Sequence, residues 1–317
     1  MIHALALTGP TASGKTAISL AIAKEIGAEI ICLDSMQIYR DMNIGTAKAT
    51  SEEQAVVTHH MLDVCAPDEP YSVMQYRKDA LSCLNDISAR GKTALFVGGT
   101  GLYADSLTRS EPDSPEQSEQ IKKKVVETYG EDPDSLWQAL FEIDPESAEK
   151  IHKNNKRRVM RALEIYLSSG ITKTEYDIRS KEKPSEVALT MITLDFHIRE
   201  LLYQRIDKRV DKMISDGLVS EVSSLYGRGL LSSDTTAAQA IGYKEIIAYL
   251  RGEKTLEEAI EEIKLSSRRY AKRQLTWFRH NKDAYRLYVD TENGEIRPTD
   301  ELIEEALSVI RESGFNG

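Results

Sequence analysis

The sequence has little of what marks secreted, zinc-binding and membrane proteins. It has only three cysteines in 317 residues, Cys32, Cys65 and Cys83, and they form no CxxC pair. A disulfide framework and a cysteine zinc site are therefore not expected. No hydrophobic run approaches the roughly 20 residues of a membrane span. The apolar start also lacks the charged segment and cleavage site of a signal peptide. We expect a cytoplasmic protein without membrane contact.

Basic side chains are fewer than acidic ones. The chain has 51 acidic and 41 basic side chains, a net charge of -10, which argues against binding of polyanions over the whole surface. Two segments are exceptions, because Lys150–Arg161 has six lysines and arginines, Lys264–Lys282 has seven, and neither has an acidic residue. Such surfaces suit RNA, although a solvated charged helix face is the ordinary alternative.

Strands and helices alternate through the first hundred residues. Short apolar runs predict strands at Ile2–Thr8, Glu29–Leu33 and Thr93–Val97, and helical spacing predicts helices at Lys15–Ile26 and Ser72–Ala89. This order predicts an α/β fold with a parallel sheet. Ligands of such sheets bind at the carboxyl ends of the strands, so the loops that follow the strands are the candidate site.

The first predicted strand runs into a glycine-rich loop. Residues 9–16, GPTASGKT, match the pattern GxxxxGK[ST] in full. Backbone N–H groups and the helix dipole make such a loop an anion site, in which Lys15 suits an outer phosphate and the Thr16 hydroxyl suits Mg²⁺. A tight turn without a ligand is the alternative. Since no apolar strand ends in Asp-Glu and no NKxD-like segment is present, nucleotide kinases and diphosphate-transfer enzymes both remain.

Polar residues follow the other two strands. Asp34 could hold Mg²⁺, accept a proton from a nucleophile, or be a solvated turn residue. The segment FVGGTGLY places the Thr100 hydroxyl at the same edge of the sheet. His59 and His60 have no second ligand pair at metal spacing, which favours a structural or loop role.

Composition changes after the third strand. The segment Ser110–Glu119 is polar and contains two prolines, which predicts a linker. Helical patterns follow, then a polar hinge at Ser180–Glu186, a strand at Val187–Leu194 and helices over Leu201–Phe278. We predict a P-loop NTPase-like parallel core with an inserted all-helical domain and further C-terminal helices. The predicted boundaries are 1–110 for the first part of the core, 111–186 for the insertion, 187–290 for the core return with its helices, and 291–317 for a C-terminal segment.

Seven segments, in this order, resemble the tRNA dimethylallyltransferase (isopentenylpyrophosphate transferase) family of bacterial type. They are GPTASGKT, DSMQIYRDMNIGTAK, GGTGLY, DPESAEKIH, RRVMRALEIY, QAIGYKE and AKRQLTWFR, from Gly9 to Arg279. The resemblance implies transfer of a dimethylallyl group from its diphosphate to N6 of the adenosine 3′ of the anticodon, in tRNAs that read codons beginning with U. The loop would then hold diphosphate rather than ATP. A small-molecule or nucleotide kinase and a non-catalytic RNA-binding module are the alternatives.

The resemblance also implies roles for individual residues. Asp34 would be the general base, and Thr100 would contact the reacting centre. The diphosphate and Mg²⁺ would be bound by Gly9, Pro10, Thr11, Ala12, Ser13, Gly14, Lys15, Thr16 (the metal ligand) and Arg205. The tRNA would contact Asp34, Ser35, Met36, Gln37, Thr100, Arg157, Arg158, Val159, Met160, Arg161, Gln239, Ala240, Ile241, Gly242, Tyr243, Lys244, Lys272, Arg273, Gln274 and Arg279. Ser118 and Lys153 depart from the family pattern. We expect a monomer whose partners are the tRNA anticodon stem-loop and dimethylallyl diphosphate, with Mg²⁺ as cofactor.

Overall fold

The computed structural model describes residues 1–108, 119–182, 185–232 and 235–315. The strands in these ranges are β1 Ile2–Thr8, β2 Glu29–Cys32, β3 His59–His60, β4 Ala94–Gly98, β5 Val187–Asp195 and β6 Tyr285–Tyr288. The α-helices are α1 Lys15–Glu25, α2 Ser51–Val56, α3 Val73–Ala89, α4 Gly101–Thr108, α5 Glu119–Tyr129, α6 Pro133–Ile143, α7 Pro145–Lys150, α8 Lys156–Ser169, α9 Lys173–Glu182, α10 Arg199–Ser215, α11 Leu218–Gly227, α12 Tyr243–Leu250, α13 Leu256–Arg279 and α14 Thr299–Glu312. A 3₁₀ turn at Ala237–Gln239 precedes α12.

The chain forms two compact units. One contains Met1–Leu107 with Val187–Gly317, and the other contains Thr108–Glu186. The regions 187–290 and 291–317, which the sequence analysis separated, thus share one unit with the start of the chain. The described elements of the second unit, α5 to α9, are all helical. Ser118 and the predicted linker, apart from Glu119, lie outside the described residues, and α9 continues into the predicted hinge.

The first unit is built on a six-stranded sheet in the order β3-β2-β4-β1-β5-β6. Every neighbouring pair is parallel, which confirms the predicted α/β, P-loop NTPase-like core. Strand β1 lies between β4 and β5, so the chain returns beside its first strand after the helical unit. Strands β3 and β6 were not predicted, because two and four residues are too few to show a periodic pattern.

Both faces of the sheet are covered by helices. Along β1, Leu5 and Leu7 face a core shared with α1, α10, α13 and α14. Ala4 and Ala6 face the opposite core, shared with α3 and α4. A strand buried on both faces must be apolar, which explains the unbroken hydrophobic run at residues 4–7.

Two further apolar clusters complete the structure. Residues after β2, among them Tyr39 and Met42, pack with Val222 of α11 and Tyr243 of α12. The helical unit has its own core, in which Val159 of α8 is fully buried. Among the described residues, no helix combines the length and apolar character needed to cross a membrane.

Candidate active site

The loop between β1 and α1 has the backbone of an anion cradle. Gly9 has φ of 138°, and a Cβ there would lie 2.8 Å from the Leu194 carbonyl oxygen, so only glycine fits. Gly14 precedes α1 without a side-chain cap, which leaves the first N–H groups of the helix for a ligand. The Ser13 hydroxyl is buried and has no hydrogen-bond partner among the described residues. A bound anion would supply that partner.

Lys15, the first residue of α1, folds over this loop. Its Nζ donates to the carbonyl oxygens of Pro10 at 2.6 Å and Gly9 at 3.1 Å. Burial and, next, the positive charge of Arg209 lower the pKa of Lys15 to about 7, against the opposing negative charge of Asp34. The amine is therefore ready to gain a proton when a negative ligand enters.

Two arginines of α10 lie at the same cavity. The Nε of Arg205 donates to the Ala12 carbonyl at 2.8 Å, and the Nη2 of Arg209 lies 3.5 Å from the Thr46 carbonyl. Residues four apart share one helix face. Burial lowers the pKa of both guanidinium groups. The buried carboxylate of Asp290 fixes the start of α10, because it accepts two backbone N–H groups there at 2.8 Å each.

Asp34 follows β2 and is held at its turn by neighbours on both sides. Its Oδ1 accepts the N–H of Met36 at 2.8 Å. The Thr100 N–H donates to the Leu33 carbonyl at 3.1 Å, and the Ser35 N–H donates to the Thr100 hydroxyl at 3.1 Å. Thr100 therefore ties the turn after β4 to the residues that flank the Asp34 carboxylate.

One cavity of about 840 Å³ is lined by residues 11–16 of the phosphate loop, by Asp34 and by both arginines of α10. The residues predicted as site residues that line it are Thr11, Ala12, Ser13, Gly14, Lys15, Thr16, Asp34, Ser35, Met36, Gln37, Arg205, Gln239, Ala240, Ile241, Gly242, Arg273 and Gln274. Such a volume suits a drug-sized ligand or a nucleobase with a small diphosphate. In the part of the chain that the structure describes, no group of three or more His, Cys, Asp or Glu side chains could hold a metal ion.

Comparisons with known proteins agree with this geometry. The model of the IPP transferase family matches residues 37–281, and that of the isopentenyl transferase family matches residues 2–64. The tRNA dimethylallyltransferase of Anoxybacillus flavithermus is 49% identical over 275 residues, which cover 86% of each chain. That of Thermotoga maritima is 46% identical over 276 residues, 87% of this chain and 89% of the relative. The chain belongs to the tRNA dimethylallyltransferase family.

Solved structures of two such transferases are similar in fold to this protein. The tRNA isopentenylpyrophosphate transferase of Staphylococcus epidermidis is 37% identical with a TM-score of 0.71, and the match covers 99% of this chain and 100% of that one. A eukaryotic dimethylallyltransferase acting on tRNA is 30% identical with a TM-score of 0.79, over 91% of this chain and 74% of that one. The membership of the tRNA dimethylallyltransferase family that the sequence motifs predicted is therefore confirmed.

Two residues expected to contact tRNA have internal partners instead. The Oε1 of Gln274 accepts the Thr11 N–H at 2.8 Å, and its Nε2 donates to the Gly99 carbonyl at 2.9 Å. Tyr243 is fully buried, and its hydroxyl donates to Glu221 at 2.6 Å. Tyr243 therefore packs inside the protein, where its side chain is not exposed for the predicted tRNA contact, and Gln274 joins α13 to the phosphate loop.

The basic segment on α13 is partly neutralised by carboxylates from other elements. Arg279 pairs with buried Asp195 at 2.6 Å, and Arg268 pairs with Asp207 of α10 at 2.7 Å. The segment Lys264–Lys282 itself contains no acidic residue, because these carboxylates come from positions that are distant in the chain. Arg279 thus forms an internal ion pair, and its tRNA contact stays a prediction, while Lys272 and Arg273 are exposed.

The residues of α8 that were predicted to contact tRNA are partly exposed and partly buried. Arg157 and Arg158 are exposed, Met160 is half-buried and Arg161 lies 3.1 Å from Glu164. Val159 is fully buried in the core of the helical unit, so its side chain cannot meet RNA in this structure. Lys153, which departs from the family pattern, pairs with Asp134 at 2.9 Å, and Lys244 lies 3.6 Å from Glu245.

Sequence reasoning missed several residues of the cavity wall, among them Arg209 and Tyr270. Arg209 lies four residues after Arg205, and Tyr270 lies four residues before Gln274, so helical spacing was the available signal. Burial and, next, the negative charge of Asp34 raise the pKa of Tyr270 to about 12. Tyr270 therefore lies within electrostatic reach of the predicted base, with the Arg273 guanidinium 5.5 Å from its ring centroid.

Proposed function

We propose that the protein transfers a dimethylallyl group from dimethylallyl diphosphate to N6 of the adenosine 3′ of the anticodon, in tRNAs that read codons beginning with U, and releases diphosphate. One observation carries the proposal: the phosphate loop and the Asp34 carboxylate line the same cavity. A kinase would use the loop for a nucleotide, and neither the family models nor the relatives favour that alternative.

The cavity supplies a group for each part of the reaction. The adenine amine is a weak nucleophile because its lone pair is delocalised into the ring. As N6 bonds to C1 of the allyl group, the bond from C1 to the diphosphate oxygen breaks, and Asp34 accepts the proton that N6 loses. A positioned carboxylate contributes about 10²–10⁴-fold to such a step. Lys15, Arg205 and the N–H groups of the loop stabilise the charge that develops on the departing diphosphate.

The donor set also fits Mg²⁺. Thr16 is exposed in the first turn of α1 and lines the cavity. Mg²⁺ commonly takes one or two protein oxygens together with oxygens of a substrate phosphate. A bound Mg²⁺ would neutralise negative charge on the diphosphate as it leaves. Thr16 would hold it with the diphosphate oxygens.

We assign tRNA contact to the exposed cations of each unit, taken separately. Arg157 and Arg158 lie at the start of α8, and Lys272 and Arg273 lie on α13. Such side chains suit phosphate groups and unstacked bases of single-stranded RNA. A tRNA substrate also implies action in the cytoplasm, and we propose that the protein works as a monomer.

The test is a transfer assay with labelled dimethylallyl diphosphate and unfractionated tRNA, followed by nucleoside analysis. We expect label on N6 of adenosine. Asp34→Asn, a change of nearly equal size, should lower the single-turnover rate by about 10²–10⁴-fold while tRNA binding is retained. Asp41→Asn is the matched control, because Asp41 is an exposed carboxylate that pairs with Arg228 on the surface. Equal rates for wild type and Asp34→Asn would remove Asp34 from its role.

A further inference from the structure

Glu221, on α11, accepts four hydrogen bonds from two different parts of the chain. Its Oε2 accepts the backbone N–H groups of Asn43 at 2.9 Å and Ile44 at 2.8 Å. Its Oε1 accepts the Gly45 N–H at 3.1 Å and the Tyr243 hydroxyl at 2.6 Å. One carboxylate thus fixes three successive N–H groups of residues 43–47, which we call the 43–47 loop.

The ring of Tyr243 supports the same loop by direct packing. A Cβ on Gly45 would lie 2.4 Å from Cε2 of that ring, so only a glycine backbone fits against it. Burial, followed by the negative charge of Glu221, raises the pKa of Tyr243 well above its usual value. The phenol therefore stays protonated and remains a donor to Glu221 at every working pH.

The other side of the 43–47 loop faces the cavity. The Thr46 carbonyl lies 3.1 Å from Nε2 of Gln37 and 3.5 Å from Nη2 of Arg209. The Ala47 carbonyl also accepts from Gln37, at 3.3 Å. Gly45, Thr46 and Ala47 all line the cavity wall. A displacement of this loop would therefore move the partners of Gln37 and Arg209.

We propose that Glu221 and Tyr243 are positioning residues for the allyl transfer: they fix the 43–47 loop and, through the Thr46 carbonyl, the Arg209 guanidinium beside the diphosphate cradle. Neither residue is among those that line the cavity, so both act through the loop. The inference rests on the proposed function, because it takes diphosphate as the ligand that Arg209 meets. A positioning role is also compatible with the complete burial of Tyr243.

The primary variant is Glu221→Gln, which replaces one accepting oxygen by an NH₂ group that faces N–H donors. We expect binding of inorganic diphosphate to weaken about tenfold, and kcat/KM for dimethylallyl diphosphate to fall by a similar factor. Tyr243→Phe keeps the ring against Gly45 and loses one hydrogen bond, so its effect should be about two- to fivefold. This milder variant provides a test if Glu221→Gln folds poorly.

The matched control is Glu29→Gln. Glu29 is a buried carboxylate of the same unit with Arg90, Lys92 and His60 as partners, and it is not among the residues that line the cavity. This variant should lower the melting temperature without changing diphosphate affinity or KM. A general loss of stability would move the melting temperatures alone, whereas a positioning role also changes affinity and kcat/KM.

A double-mutant cycle identifies the route. If Glu221 acts through Arg209, the Glu221→Gln substitution should weaken diphosphate binding less than twofold in an Arg209→Ala background. An equal, tenfold effect in both backgrounds, or no effect in the wild-type background, would overturn the inference. If the wild type transfers no label to tRNA but the cycle shows this coupling, only the proposed function fails. If it transfers label and the coupling is absent, only the positioning role fails.

Discussion

Protonation of Lys15 should accompany binding of the diphosphate. Burial and the charge of Arg209 hold its pKa at about 7 in the free protein. About nine tenths of the Lys15 side chains are therefore neutral at about pH 8, where the last proton of an allylic diphosphate, with a pKa near 6, has already left. Entry of the negative ligand favours the charged amine, so each binding event should take up about 0.9 proton at that pH.

The sign of the effect follows from this linkage. Since the complex binds more protons than the free protein above about pH 7, affinity should fall as pH rises. The dissociation constant should increase nearly tenfold between about pH 8 and pH 9, where Lys15 of the free protein is almost entirely neutral. Below pH 6 the ligand itself takes up a proton, so the protein contribution is measured above that value.

Calorimetry of dimethylallyl diphosphate binding in buffers of different ionisation enthalpy measures the proton uptake directly. The slope of observed enthalpy against buffer ionisation enthalpy should give about 0.9 proton at about pH 8 for the wild type. Lys15→Arg is the matched control, because its guanidinium stays charged and should bring the slope close to zero. A slope near zero for the wild type would refute the reasoning and show that Lys15 is already charged without the anion.

Three further predictions concern the framework of the site. Glu29→Gln should lower the free energy of unfolding by about 3–5 kcal/mol near neutral pH, because it breaks a buried ion-pair cluster. Hydrogen bonds, first of all from Arg90, hold the pKa of Glu29 well below its usual range. Its stabilisation is therefore present above the unfolded pKa and is lost as pH falls, so denaturant titrations of wild type and variant should converge in acid. Gln274→Ala should weaken inorganic diphosphate binding in calorimetry by about 1–2 kcal/mol, since it leaves the Thr11 N–H without its acceptor, and unchanged affinity would contradict this. Gly98→Ala should destabilise the protein by about 1–3 kcal/mol, because the new Cβ would lie 2.1 Å from the Leu33 carbonyl oxygen; a melting temperature equal to that of the wild type would show that the turn can move aside.

The phosphate loop and the parallel core could be predicted because their signals are local. A strand, a glycine loop and a helix follow one another within 25 residues, and each boundary has its own pattern. Asp34 was placed at the cavity for a similar reason, since the carboxyl ends of parallel strands meet at one edge.

The structural roles that sequence reasoning missed depend on partners that are distant in the chain. The burial of Tyr243 depends on Gly45 and Glu221, which reach it from separate parts of the chain. The pairing of Arg279 depends in the same way on Asp195, at the end of β5. Propensity and local charge contain no information about such partners, so a basic or aromatic residue that supports the fold resembles one that binds a ligand.

The hydrogen bonds of Gln274 have a consequence for synthesis of the protein. The Thr11 N–H leaves the ribosome well before its acceptor, which lies 263 residues later in the chain. A nascent chain can therefore form the loop early but cannot secure it until α13 has emerged. Chains that stop before this helix should therefore bind diphosphate weakly, so the order of translation delays binding until α13 has been made.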